Sequence, residues 1–375
     1  MSAEGFLFCG QKFSYARRIR GVPMTNKEKI DCLARGEMLS KQQLSQLLDP
    51  YTRDERLYAA KKARAMADQY YGKKIYFRGL IEFTNYCKNN CYYCGIQTSN
   101  RNIQRYRMDP ATIYECCEWG YRAGFRTFVL QGGEDPYFTD ERITELVSTI
   151  RQRYPDCAIT LSIGEKSRES YQKYFDAGAN RYLLRHETAC PGHYQKLHPP
   201  GQSFDNRMRC LRDLKEIGYQ TGCGMMVGSP YQTSEELADD LIFIREFQPQ
   251  MVGIGPFIPH HDTRFRDFPA GTVEDTLFLL SLIRFLQPQV LLPATTALGT
   301  IVPDGREQGI LAGANVVMPN ISPADLRKNY MLYDNKIGTG DDASESQKRL
   351  RDSIGKIGYE VVTDRGDYPE QAKQA

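Results

Sequence analysis

Apolar and polar residues alternate in two rhythms along this chain. Short runs rich in β-branched or apolar residues, bounded by Gly or Pro, predict strands over 75–84, 126–132, 158–164, 181–188, 220–228, 251–258, 290–297 and 315–320. Between them the apolar period lengthens to that of a helix. Asp109-Pro110 predicts an N-cap and a proline-opened helix running toward Gly124. Thr139 caps a pattern with Ile143, Leu146, Val147 and Ile150 on one face, and Ser167 caps the next, ending near Gly178. Asp205 precedes a helix carrying Leu211, Leu214 and Ile217, with Gly218 at its end. Thr233 with Glu236 makes a capping box, Thr272 opens the stretch through Leu286, and 306–313 supplies a short helix.

Strand and helix alternating eight times over predict an α/β fold, a (β/α)8 TIM-type barrel over 75–335. An open doubly wound sheet is the alternative. Residues 1–74 read as an N-terminal helical extension, with a capping box at Ser40 and Gln43 and a long helix led by Asp54 to Tyr71. Ser322-Pro323 starts another helix. Residues 336–375 read as a loop over 338–344, a helix from Ser344, a short strand over 359–362 and a polar tail.

Composition narrows the class. The 375 residues hold 49 basic and 46 acidic side chains, a net charge of +3, which singles out neither nucleic acid nor an anionic membrane as a partner. Hydrophobic content of 41% and charged content of 25% suit a folded protein. No uncharged apolar run is long enough to span a bilayer, and Met1 to Gln11 offers only Phe6-Leu7-Phe8 with no basic segment, so no secretory signal is expected. A cytoplasmic protein follows, in which most of the 11 cysteines are small buried hydrophobes.

Three of those cysteines are spaced for chemistry. Cys87, Cys91 and Cys94 form C-x3-C-x2-C just past the first strand, where barrel enzymes place their active sites. Three thiolates on one loop hold three corners of a cubane iron–sulfur cluster and leave its fourth iron open to a small molecule. Structural zinc wants four ligands, and His186, His193 and His198 follow a different strand. Zinc and inert packing stay as the competing readings.

The same rim carries further signals. Gln131-Gly132-Gly133-Glu134 ends the second strand, and the glycine pair is either a turn or a close backbone approach to a ligand. On the fourth strand Arg181, Leu183, Arg185 and Glu187 share one face, and Tyr182, Leu184, His186 and Thr188 the other. Parallel strands buried on both faces ordinarily read as apolar runs. Charges on the lumen side therefore mean either an internal Arg–Glu pair or a polar cavity that holds anions. Thr160 and Ser162, opposite Ile159, Leu161 and Ile163, point to the same polar lumen. Arg207, near a helix start, is either a surface residue or a ligand contact. Met225, Met226, Tyr330 and Tyr333 would ordinarily be core, adjacent His260 and His261 diverge and receive no role, and Cys116-Cys117 packs mid-helix.

The cysteine loop, with Tyr93 before its third cysteine, resembles that of the radical S-adenosylmethionine (SAM) superfamily. The resemblance implies a 4Fe-4S cluster whose unique iron binds SAM. One electron then cleaves SAM to methionine and a 5′-deoxyadenosyl radical. It also implies SAM contacts at Tyr93, Gly132, Gly133, Glu134, Ser162, Glu187 and Met226. In the biotin-synthase branch an arginine placed like Arg207, before a glycine-rich fifth strand such as Gly222 to Gly228, meets the SAM carboxylate. Biotin synthase itself is disfavoured, because Gln131, Thr160 and Gly222 stand where its second cluster needs thiolates.

Longer segments, Ile81 to Gly95, Met226 to Gly228, Val252 to His260, Pro293 to Thr300 and Gly313 to Asn320, resemble the radical-SAM maturases of FeFe-hydrogenase, the E type. That resemblance implies assembly of the hydrogenase di-iron subcluster from a cysteine-bound iron carbonyl cyanide species, whose sulfur the adenosyl radical attacks. It implies a substrate cavity lined by Gln131, Thr160, Arg181, Arg185, Thr295, Thr296, Met318 and Tyr330. A ferredoxin or flavodoxin electron donor and other hydrogenase maturases are the implied partners. Tyr330 to Gly340 has no cysteine for an auxiliary cluster, so a single cluster is expected. The rival readings are a radical SAM mutase acting on an amino acid, like methylornithine synthase, a non-enzymatic iron–sulfur carrier, and a zinc-stabilised barrel.

Overall fold

The computed structural model describes residues 23–340 and 342–369. The apolar patch near the N-terminus and Cys9 lie outside them. Parallel strands run from β1 (Lys74–Phe77) and β2 (Gly79–Thr84) through β3 (Thr127–Gly132), β4 (Ala158–Ser162) and β5 (Arg181–Leu183). They continue in β6 (Gln220–Cys223), β7 (Met226–Val227), β8 (Met251–Val252), β9 (Gly255–Pro256) and β10 (Val316–Val317). The first expected strand is thus real but interrupted at Arg78. The fifth and sixth are each split where the chain bends, as β6–β7 and β8–β9.

The ring closes into a barrel. β2, β3, β4, β5, β6 and β8 are neighbours in that order. β8 then bridges to Leu291, Pro293 bridges to Val316, and β10 pairs with β1. The seventh strand is the least regular, in keeping with Pro293, which has no N–H to give to a ladder. Along each strand the side chains alternate as expected. Phe128, Leu130, Ile159, Leu161 and Tyr182 pack outward in the main core. Their neighbours Val129, Gln131, Thr160 and Leu183 line the lumen.

Helices Pro110–Arg122, Asp140–Arg153, Arg168–Asp176, Phe204–Ile217, Ser234–Phe247, Val273–Leu286 and Gly305–Leu311 form the outer layer. Ser203, not Asp205, caps the fourth of these, and Thr52 caps the long N-terminal helix Arg53–Tyr71 through a capping box with Glu55. Short helices Asn26–Ala34, Pro191–Leu197 and Thr296–Ile301 had no strong periodic signal. Helix Val273–Leu286 is buried on every side, because Arg53–Tyr71 packs on its outer face. Helix Lys41–Leu48 packs likewise on Ser234–Phe247. No described helix is long and apolar enough to cross a membrane.

The C-terminal segment is part of the barrel floor. After helix Ala343–Lys356, β11 (Glu360–Val362) pairs in parallel with β1, and the chain turns beneath the lumen. Here the structure corrects an expectation. Arg181 does not line the substrate cavity. It is wholly buried at the bottom of the barrel, where Nη2 donates to Asp367 Oδ1 (2.7 Å) and the Arg365 carbonyl (2.8 Å), and Nη1 to Thr127 Oγ1 (3.1 Å). Gln220 Nε2 donates to the same Asp367 oxygen at 2.7 Å. Arg181 opens β5 and Arg185 lies two residues past its end, so a shared face does not mean a shared compartment.

Burial raises the Asp367 carboxyl, but Arg181 beside it outweighs that and holds it below its ordinary value. The pair therefore stabilises the fold above the ordinary carboxylate range, and that contribution fades as pH falls through the lowered value. Asp367→Ala leaves Arg181 buried and unpaired. Denaturant unfolding is expected to show a loss of about 3–5 kcal/mol at neutral pH. The gap from the parent protein should narrow below about pH 4.

Candidate functional site at the barrel mouth

The cysteine loop leaves β2 at Thr84 and is stapled before it is used. Asn85 donates to the carbonyls of Gln104 (2.8 Å) and Asn329 (2.7 Å), and its Oδ1 accepts from the Tyr106 amide. Arg105 donates to the carbonyls of Asn85, Ile96 (2.9 Å), Gln97 (2.6 Å) and Asn100 (3.1 Å). The loop is tied outward as well: the amides of Lys88, Tyr92 and Gly95 donate to the carbonyls of Glu134, Leu197 and Leu332. Arg105 was invisible to the sequence reading, because its acceptors are all backbone.

Cys87, Cys91 and Cys94 all line a cavity of about 350 Å³. Burial raises the Cys87 thiol, pushes Cys91 up to about 12 and drives Cys94 well above its ordinary value. Thiols this buried ionise only against strong positive charge, which a thiolate-ligated iron cluster supplies. Gly133 closes the fit. A Cβ there would stand 2.2 Å from the Tyr86 carbonyl oxygen and 2.7 Å from Cys87 Cβ, so only glycine lets the β3 end pass under the loop. Tyr93 stands beside the thiols. His198 Nδ1 donates to the Tyr194 carbonyl (2.9 Å), so its Nε2 accepts from the Tyr93 hydroxyl (3.2 Å). Burial, with Arg207 nearby, pushes His198 down to about 3 and keeps it neutral.

Gly132, Glu134, Ser162, Glu187, Arg207 and Met226 line the same cavity, and so do Gln131, Arg185, Thr295, Thr296, Met318 and Tyr330. Thr160 lies deeper, in a chamber of about 130 Å³ that shares Gln131, Leu183, Arg185, Thr295 and Met318 with the space above. Of the residues expected here, Arg181 alone is elsewhere. Arg207 is anchored from one side, with Nε donating to Glu165 (2.6 Å) and Nη1 to the Arg185 carbonyl (2.6 Å). Glu134 accepts from the Glu165 amide (2.9 Å) and pairs with Lys88 (3.2 Å).

Other polar atoms are spare. Arg185 Nη2 and Glu187 Oε2 are 3.2 Å apart but misaligned, and both are buried without a hydrogen bond. Thr160 Oγ1 and Thr295 Oγ1 are also buried and unpartnered. Arg78, at the break between β1 and β2, reaches the lower chamber with Nε and Nη2 unused. Burial, reinforced by Arg181, pushes it well below its ordinary value. Buried donors and acceptors call for partners, and those that face the cavity are available to a bound molecule.

Sequence reasoning missed Arg78, Glu165 and a buried ion pair on the cavity wall, Lys336 Nζ to Glu82 Oε1 at 2.5 Å. An arginine inside an apolar strand was the signal available for Arg78. Glu82 and Lys336 lie too far apart in the chain to be matched. His260, His261 and Asp334 do come together beside the loop. The Asp262 amide donates to His260 Nδ1 (3.1 Å), which leaves the proton on Nε2, the atom facing Asp334. His261 makes the direct contact, its amide donating to Asp334 Oδ2 (2.9 Å) and its Nδ1 lying 2.7 Å from Oδ1.

Residues 81–244 match the Radical SAM superfamily. The chain is 46% identical to the [FeFe] hydrogenase maturase subunit HydE of Thermotoga maritima, over 84% of this chain and 89% of that protein. It is 30% identical to the 3-methylornithine synthase of Methanosarcina barkeri, over 87% and 92% of the two chains. The crystal structure of methylornithine synthase (PylB) superposes with a TM-score of 0.77 at 28% identity, covering 89% of this chain and 97% of that one. The chain belongs to the radical SAM superfamily. It is a radical SAM enzyme, and a 4Fe-4S cluster and SAM are its cofactors.

Cys91→Ala should fail to retain a cubane and lose SAM cleavage. Gly133→Ala should incorporate well under half the parent's iron, since the new methyl collides with the loop backbone, whereas Gly340→Ala, at an open position, should match the parent. Iron and sulfide analysis after anaerobic reconstitution reads all three.

Proposed function

We propose that this enzyme takes part in assembling the di-iron subcluster of FeFe-hydrogenase, acting on a cysteine-bound iron carbonyl cyanide species. The observation that carries the reading is the lower chamber. Arg78 and Arg185 reach it with unused donors, Thr160 and Thr295 add hydroxyls, and no carboxylate is among the described residues of its lining. Such a chamber favours anionic groups, carboxylate or cyanide, over an ammonium. The 46% identity to a protein named as a maturase supports the same reading.

In this reading Cys87, Cys91 and Cys94 hold the cluster. Tyr93, Gly132, Gly133, Glu134, Ser162, Glu187, Arg207 and Met226 shape the SAM site. Gln131, Thr160, Arg185, Thr295, Thr296, Met318 and Tyr330 shape the substrate site, with Arg78 added and Arg181 left out. A reduced 4Fe-4S cluster held by these cysteines would supply the electron for reductive cleavage of SAM. The chain's own contribution is containment: the Glu82–Lys336 pair and Tyr330 form one wall, and the Arg181–Asp367 pair seals the floor. A single cluster per chain, an electron donor of ferredoxin or flavodoxin type, other hydrogenase maturases as partners, and a cytoplasmic location belong to the same proposal.

The second reading is an amino-acid mutase. The 30% identity to 3-methylornithine synthase favours it, and an arginine can hold an amino-acid carboxylate as well. Anaerobic incubation with SAM, reductant and an iron–cysteine carbonyl cyanide complex separates the two. Transfer of the adenosyl group to the complex, read by mass spectrometry, is expected; production of 3-methylornithine from an amino acid instead would overturn the reading. Iron near four atoms per chain is expected, and about eight would contradict a single cubane.

Arg185 touches both halves of the cavity, so its replacement should disturb SAM and substrate together. Thr160→Val is the cleaner test. It should lower kcat/KM for the complex about tenfold while SAM affinity stays within about twofold, as expected for one lost hydrogen bond to a charged group.

A further inference from the structure

Glu187 has a left-handed backbone, with φ of 66°, although it is not glycine. Such a conformation is unfavourable for a side chain of this kind and persists only where its surroundings impose it. It stands just past β5, where the regular ladder has ended and a single bridge to Met225 remains.

What imposes it lies behind the strand, away from the cavity. The Glu187 amide donates to the Gly224 carbonyl at 3.0 Å. Gly224 is itself immobilised: its φ is +155°, and a Cβ there would stand 2.0 Å from the Gly253 oxygen. The Gly224 amide donates to His186 Nδ1 at 3.2 Å. That nitrogen is therefore the acceptor, so the neutral imidazole carries its proton on Nε2, which donates to Asp240 Oδ1 at 3.2 Å. The same carboxylate oxygen accepts the Ala189 amide at 2.5 Å. Residues on both sides of Glu187 thus converge on one oxygen of helix Ser234–Phe247. The Phe243 ring, from that helix, packs on the His186 imidazole at 4.7 Å.

Asp240 is an expensive way to pack a helix on a barrel. Both Asp240 and His186 are wholly buried, and Asp240 Oδ2 has no hydrogen-bond partner. An apolar residue of similar size would avoid that burden if only packing were needed. The carboxylate does what an apolar side chain cannot: it holds two donors, three residues apart, on either side of a strained turn.

We propose that Asp240, acting through His186 and the Ala189 amide, is the positioning residue that fixes Glu187 for SAM. This rests on the reading of Glu187 as a SAM contact.

The test measures SAM dissociation constants on cluster-loaded protein, with iron content and melting temperature beside them. Glu187→Gln should weaken SAM about tenfold, the loss of one charge-assisted hydrogen bond. Asp240→Ala should weaken it by a similar factor at unchanged iron content. Asp240→Asn, which keeps the accepting oxygen, should recover most of the affinity. The double variant Asp240→Ala/Glu187→Gln should bind no more than about twofold worse than Glu187→Gln, because both changes remove one interaction. If Asp240→Ala does not fold, His186→Phe replaces it, since it keeps the ring against Phe243 and removes both hydrogen bonds. Nitrogen NMR should find His186 protonated on Nε2 in the parent. An Asp240→Ala protein that melts earlier but binds SAM normally would overturn the proposal, as would a double variant whose losses multiply. If Glu187→Gln itself binds SAM like the parent, the reading of Glu187 falls and the proposal falls with it.

Discussion

Charge inside the barrel is the constraint on which the rest depends. A parallel barrel ordinarily fills its lumen with layers of aliphatic side chains. This one carries Arg78, Glu82, Arg181, Arg185 and Glu187 inward, and a buried charge is tolerated only with a partner. The solutions differ by depth. At the floor, Arg181 is neutralised by Asp367, which the C-terminal segment brings beneath the strands. At the wall, Glu82 is met by Lys336, from beyond the last barrel strand. Midway, Arg78 and Arg185 keep unused donors. The floor and wall charges are ion-paired within the chain, and the middle keeps donors for a ligand.

The upper storey follows from where the strands stop. β5, β6 and β8 lose their ladder early, at Leu183, Cys223 and Val252, and residues just beyond them line the cavity with the three cysteines. Glycines take the positions where backbones cross most closely. Arg105 and Asn85 hold the cysteine loop from outside, and Asp240 and His186 hold Glu187 from behind. The reactive rim is thus supported by residues that do not line it, as a geometrically demanding site requires.

Local signals were legible. The capping boxes at Ser40 and Thr233, the alternation on β4 and the cysteine spacing each depend on residues a few positions apart, and all appear in the structure. What stayed hidden depends on distant pairing. Arg181 and Arg185 look equivalent by period; only Asp367, a fold away, separates floor from cavity. Glu165, the partner of Arg207, lies in a loop whose pattern carries no signal. Arg78 was submerged in an apolar run read as one strand, although that charge marks both the break between β1 and β2 and the chamber beneath it.

In the proposed arrangement substrate lies below SAM with its negative charge on the arginine-lined chamber. A crystal structure of the cluster- and SAM-loaded protein with the iron–cysteine complex tests it most directly. The anionic groups of the complex are expected within hydrogen-bond distance of Arg185, Thr160 or Arg78. Density for the complex at the rim beside Glu82 and Lys336, with the lower chamber holding only water, would contradict it.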